Sequence, residues 1–320
     1  MRKLFVALLF VCMASSVSAE TGQANFTGPL VTPNASGVPA GMVWLEPYLI
    51  YSESHAVYDH RGRWRTERPG MHQWMLVVPM GVGITPRLTA QLTPGMTYNV
   101  SGREHSDGAR KTDTSLLLQY KLIAAHEDGS GPVLSMSAAH NFPTGKYNRL
   151  GDNPLNGAGS GASSNRFSLL GQQLYWLSNN HPLRLRAQMA WSPSPSRVRL
   201  HGTSSHGTTR GFLGTAAMGT SLAINTSIEY GLTEHWVLAT DVSWNHRNGA
   251  HLRGIQCPIQ GGACVDVDRH DGPDWTYSVA PAVEYNFNSN IGLIVGAQWS
   301  VGGHNASAYL APQAALNMVF

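Results

Sequence analysis

Hydrophobic and polar positions alternate along most of this chain, and helical periodicity is nearly absent. The clearest run places Trp275, Tyr277, Val279, Pro281, Val283, Tyr285 and Phe287 on one face. Thr276, Ser278, Ala280, Ala282, Glu284 and Asn286 fall on the other. A period of two is the mark of a strand whose two faces meet different surroundings. Trp236, Leu238, Val242 and Trp244 oppose His235, Ala239, Asp241 and Ser243 in the same way. Ile291, Leu293, Val295, Ala297, Trp299 and Val301 oppose Gly292, Gly296, Gln298 and Ser300. Similar runs cover 74–84, 88–98, 116–122, 183–191 and 222–230, with weaker ones at 43–52, 134–142 and 167–177. The parity of 167–177 is ambiguous, which predicts a bulge there. With the final run, Leu310 to Phe320, the count is twelve.

A soluble sandwich would bury the apolar face, whereas an outer-membrane barrel turns it to lipid and lines its lumen with the polar one. The large aromatics collect near the ends of the apolar faces, as girdles at two lipid–water interfaces do. Connections alternate between short turns (85–87, 127–131, 179–182, 232–234, 288–290) and long segments (60–71, 101–112, 143–165, 193–211, 246–273). That alternation is the outer-membrane pattern of tight periplasmic turns and longer external loops. The fold class is therefore all-β: a transmembrane antiparallel up-and-down barrel of about twelve strands, with both termini on the short-turn side. Pro47, Pro79, Pro94, Pro281 and Pro312 lie within these strands. Proline donates nothing to a ladder, so each predicts either a bulge or a shorter strand.

The N-terminus reads as an export signal. Arg2 and Lys3 precede the apolar run Leu4 to Met13, and Val17-Ser18-Ala19 is a small-residue cleavage site. Ten apolar residues are too few to cross a bilayer as a helix, which takes about 20. The expected organisation is a signal peptide over 1–19, a periplasmic lead over 20–42 and an outer-membrane barrel over 43–320. The terminal Phe320 looks like the final-strand signal read by the outer-membrane assembly machinery.

Only 13% of residues are charged, against about 25% in a soluble domain. The net charge of +3 falls by two when Arg2 and Lys3 leave with the signal. So small an excess gives no footprint for nucleic acid. Beyond the signal the cysteines are Cys257 and Cys264, which in an oxidising compartment should form a disulfide closing a small loop. The rival is a metal site with His251 and His270, but the spacing matches no zinc pattern. Neither a metal nor a cofactor is expected.

Gly28-Pro29-Leu30-Val31-Thr32-Pro33, Glu46-Pro47-Tyr48 and Asn141-Phe142-Pro143-Thr144-Gly145-Lys146-Tyr147 carry a resemblance. With the twelve-run pattern, the chain resembles the outer-membrane proteins grouped with the meta-pathway of phenol degradation. The resemblance spans most of the mature chain and implies a barrel that serves as a channel or transporter for small, hydrophobic or aromatic solutes. It brings no catalytic residues.

Charges expected to face the lumen are Glu46, Lys121, Arg184, Arg186, Glu229, Asp241 and Glu284. Arg184 and Arg186 share a face and could form a cationic strip that selects solutes. The plainer reading is that these charges pair and brace the barrel, since burying them unpaired is costly. Arg61, Arg63, Arg65 and Arg68 cluster in the first external loop, where arginine could bridge lipopolysaccharide phosphates, or could simply be solvated. The Gly- and Ser-rich loop 148–165 has no strand–helix context for a phosphate cradle and reads as a surface loop able to fold into the lumen.

Two other classes make different demands on the sequence. A lipid-modifying enzyme would place Ser, His and an acid or amide on the outer face near the external rim. His140 has that placement, but Ser137 has the opposite parity, and no other serine is assigned beside it. A structural or adhesive barrel would bind an external partner through its loops, and the disulfide-tied segment 246–273 is its best support.

Overall fold

The computed structural model describes residues 24–126 and 129–320. The signal peptide expected over 1–19 lies outside these residues. Twelve antiparallel strands close into a barrel. The first comprises Val43–Leu45 and Tyr48–Tyr58, the second Trp64–Val77 and Met80–Gly83, the third Leu88–Thr93 and Gly95–Ser101. The rest are Thr114–Ile123, Pro132–Phe142, Ser164–Trp176, Pro182–Ser192, Ser221–Gly231, Trp236–Arg247, Asp274–Asn286, Ile291–His304 and Ala306–Val319. Each pairs with its successor, and the twelfth returns to the first through Trp44↔Val319 and Tyr48↔Ala315. Closure leaves no edge of unpaired backbone, which hydrocarbon would not tolerate.

The apolar faces point outward. Trp74, Met189 and Val295 are 48, 52 and 50% exposed, while Glu229 and Glu284 on the lumen side are 0% exposed. This is the reverse of a soluble core, and it places the protein in the outer membrane with its apolar belt in lipid.

The prolines act in two ways. Pro47, Pro79 and Pro94 fall between the two pieces of the first, second and third strands. Pro281 and Pro312 lie inside unbroken strands and cost the ladder on one side only. Pro281 keeps its partner Thr240, but the ladder to the eleventh strand passes from Val279↔Trp299 to Ala282↔Gly296. Pro312 pairs with Ala297, while the ladder to the first strand passes from Ile50↔Gln313 to Glu53↔Leu310.

Three expectations change. The sixth strand has no bulge: its ladders to both neighbours run without a register shift. Its parity looked mixed because the inward Leu170 packs with Val133 and Ala35 inside the barrel. The segment 60–71 is a loop only briefly, since the first two strands continue outward to Tyr58 and from Trp64. The segments 193–211 and 246–273 are structured. Val198–His201, Phe212–Ala217, His251–Gln256 and Val265–His270 form a separate four-stranded antiparallel sheet beyond the membrane. Its inner face packs Leu200, Phe212 and Leu252 against Ala162 of the 143–165 loop. Cys257 and Cys264 are bonded at the tip of its last hairpin.

Candidate functional site: a plugged lumen below an open vestibule

Residues 24–39, expected as part of a periplasmic lead, run inside the barrel instead. The lumen supplies what this segment needs. A chain without secondary structure of its own must satisfy each buried backbone amide. Glu284 Oε2 accepts the amides of Thr27 and Gly28 at 2.7 and 3.1 Å. Asp241 accepts those of Val31 and Thr32 at 3.2 and 2.9 Å, and the Thr32 hydroxyl at 2.7 Å. Thr89 Oγ1 accepts the amide of Val38, while Gln119 Nε2 and Ser135 Oγ donate to the carbonyl of Ala35. Apolar contacts complete the seat: Leu30 sits against Ile294, Ala280 and Ala282.

The predicted lumen charges divide accordingly. Arg184 makes a two-pronged contact with Glu229, Nε to Oε2 at 2.7 Å and Nη2 to Oε1 at 2.5 Å. Arg186 Nε lies 2.9 Å from Glu229 Oε2, and its Nη1 donates to the Thr32 carbonyl at 3.3 Å. Glu229 is thus a buried hub for two guanidiniums. Arg184 also lies over the Phe26 ring at 4.2 Å. Glu284 and Asp241 hold the plug. Glu46 lines the space beneath it beside Trp44 and Tyr48. Lys121 stands apart at the short-turn rim, donating to the Pro86 carbonyl at 3.3 Å.

Above the plug lies a cavity of about 660 Å³ with Val31 and Pro33 in its floor. That volume falls within the roughly 300–1,000 Å³ of small-molecule sites. Its wall is mostly amides and hydroxyls, among them Gln91, Ser137, Asn141, Gln188, Asn225 and Asn245. Arg166 projects from the sixth strand and also lines an adjoining cavity of about 400 Å³ toward the mouth. Its cross-strand partner is the small Ala139, which leaves it room. Among the described residues Arg166 has no hydrogen bond or ion pair, and its side chain is exposed to the cavity. By contrast, Arg247 at the mouth is neutralised by Asp274, with contacts of 2.9 and 2.6 Å. Sequence reading missed Arg166 and the plug. The inward apolar Leu170, Val133 and Ile294 were the available signal, because a water-filled lumen would not want them.

The external hairpin places His251 Nε2 and His270 Nε2 at 2.7 and 3.3 Å from one Asp268 oxygen. These three could offer ligands to a cation. The cysteines could not, being spent on each other.

The chain is similar to the COG4313 outer membrane channel from Pseudomonas putida F1, at 15% identity and a TM-score of 0.61, over 91% of this chain and 100% of that one. The fold is that of an outer-membrane barrel. A TodX deltaS2S3 mutant monoaromatic hydrocarbon channel aligns over 88% of this chain and 91% of its own at 11% identity. The NanC porin aligns over 84 and 98% at 10% identity. Both of these have a TM-score of 0.39, too low to carry argument. No known family profile matches the sequence, and no curated protein does.

Proposed function

We propose that this outer-membrane barrel is a channel for small solutes whose lumen its own N-terminal segment closes at rest. The observation that carries the reading is Arg166, without an ion pair among the described residues, in a polar vestibule directly above the plug. A channel whose entrance presents such a cation favours anions, and guanidinium matches a carboxylate in two-pronged geometry. The sequence resemblance adds a hydrophobic or aromatic body, so the solute class is small organic acids with an apolar or aromatic frame. The plug must shift for passage, and its anchors are hydrogen bonds to the carboxylates of Glu284 and Asp241 and to neutral lumen side chains, with a few apolar contacts, so displacement needs no unfolding of the barrel.

The resemblance to the phenol-pathway group belongs to this proposal, as does a mature chain beginning near Glu20. So do two partners: the assembly machinery at Phe320, and lipopolysaccharide at the outer hairpin. There Arg61, Arg63 and Arg68 are exposed, while Arg65 contacts Asp59 at 2.9 Å.

Reversal potentials across a planar bilayer in a KCl gradient test the selectivity. Wild type should favour chloride, and Arg166→Glu should move the reversal potential toward the potassium value. An unchanged reversal potential would refute Arg166 as the selecting charge.

A further inference from the structure

The barrel's outer wall carries a second arrangement, away from the lumen. His140, near the end of the fifth strand, stands directly opposite Asn165 of the sixth. Its Nδ1 lies 2.7 Å from Asn165 Oδ1, and its Nε2 lies 2.9 Å from Ser163 Oγ. A neutral imidazole that donates from Nδ1 to an amide oxygen presents Nε2 as an acceptor for a hydroxyl. Serine, histidine and an orienting third group within hydrogen-bond reach are the constellation of an activated nucleophile. Ser163 was missed in sequence because it lies one residue before its strand, in the 143–165 loop.

The position adds a substrate. His140 and Asn165 share the outward parity of Phe142 and Phe167, which are 42 and 47% exposed on the lipid side, and Ser163 reaches His140 from the loop just before the sixth strand. His140 meets the Phe142 ring edge-on at 4.6 Å, and its other cross-strand neighbour is Leu116, 40% exposed. The group thus sits among lipid-facing side chains at the outer end of the wall, where ester-linked acyl chains of the external leaflet lie. The nucleophile's backbone is fixed: the Ser163 amide donates to Ser196 Oγ at 2.9 Å, and its carbonyl accepts from the Ser196 amide at 3.0 Å. The Ser196 hydroxyl keeps its own proton beside the nucleophile, available to a developing oxyanion.

We propose that Ser163, His140 and Asn165 form a hydrolytic site for acyl esters of membrane lipids on the lipid-facing wall. Ser163 Oγ attacks the ester carbonyl as its proton passes to His140 Nε2. The carbon–oxygen bond to the lipid alcohol breaks, and that alcohol leaves with the proton. Water then attacks the acyl-serine, gives a proton through His140 to Ser163 Oγ, and releases a fatty acid. Ser163 and His140 are the catalytic residues, and Asn165 is a positioning residue. This activity is independent of solute passage through the lumen.

The test uses the full chain refolded in detergent, with heat-modifiable migration confirming the closed barrel. Two readouts are taken: covalent labelling by a fluorophosphonate, located by mass spectrometry, and fatty-acid release from phosphatidylethanolamine vesicles and from lipopolysaccharide. The expected result is an adduct on Ser163 and release from at least one lipid, the responding arm identifying the source of the ester. Ser163→Ala and His140→Ala should each lower release by roughly 1,000-fold or more. Asn165→Asp should retain activity, with the acid limb of its pH profile moved upward, because a carboxylate favours the protonated imidazole. No release from either lipid and no adduct on folded wild type would overturn the proposal. So would release that persists unchanged in Ser163→Ala.

Discussion

Glu229 shows how individual residues are held in the lumen. Its carboxylate is fully buried and shared by Arg184 and Arg186. Replacing one member of such a set leaves charges without a partner, which costs far more than the set contributed. Glu229→Gln should therefore destabilise the barrel by about 3 kcal/mol. Arg166→Ala should leave stability unchanged, since no partner of Arg166 lies among the described residues. Urea unfolding midpoints read from gel migration would compare them, and equal midpoints would contradict the difference drawn between hub and free cation. Much of this was legible in sequence: Arg184, Arg186, Glu229, Asp241 and Glu284 all share the polar parity of their strands. What parity did not reveal was division of labour. Two of the acids bind backbone amides of a distant segment, with sequence separations above 200 residues, and alternation carries no information about such partners.

Elements outside the bilayer are ordered by side chains rather than by burial alone. Asp107 accepts from Asn156 Nδ2 at 2.7 Å and Asn153 Nδ2 at 3.2 Å, tying 101–112 to the short helical turn Pro154–Asn156. These hydrogen bonds, the Asn156 one foremost, hold the Asp107 carboxyl below its ordinary value of 3.8. A lowered value means the tie is fully present above pH 3.8 and weakens as pH falls through the lower value of the docked state. Hydrogen-exchange protection factors at Asn156 and Gly157 should drop in acid below that point, and in Asp107→Asn they should not vary across it. Protection independent of pH in wild type would contradict the tie. At this scale sequence showed where the loops begin, because turn residues mark the ends of alternating runs. It did not show that 198–217 and 251–270 build a sheet of their own. Their runs are only four to six residues long, too short for alternation to stand out. Nor did it bring Ser163 beside His140, since that needs the path of a long loop.

At the scale of the whole molecule, the strand count and the plug answer each other. Twelve strands enclose more space than the eight of a barrel filled by its own side chains, and less than the 16–18 of an open porin. The 24–39 segment takes up the difference, and the remaining cavity opens outward above it. The barrel was legible because lipid and lumen impose opposite demands on alternate side chains, most plainly in the run from Trp275 to Phe287. The plug was not, because residues 24–39 have no periodicity and their glycines and prolines read as a loose lead. Their meaning lies in Leu170, Val133 and Ile294, apolar residues on the wrong face for a wet lumen. Single-channel conductance of the full chain against a variant lacking residues 24–39 bears most directly on the picture of a self-closed channel. The shortened chain should give steady openings several times larger than wild type, and equal conductance of the two would show that the segment does not close the lumen.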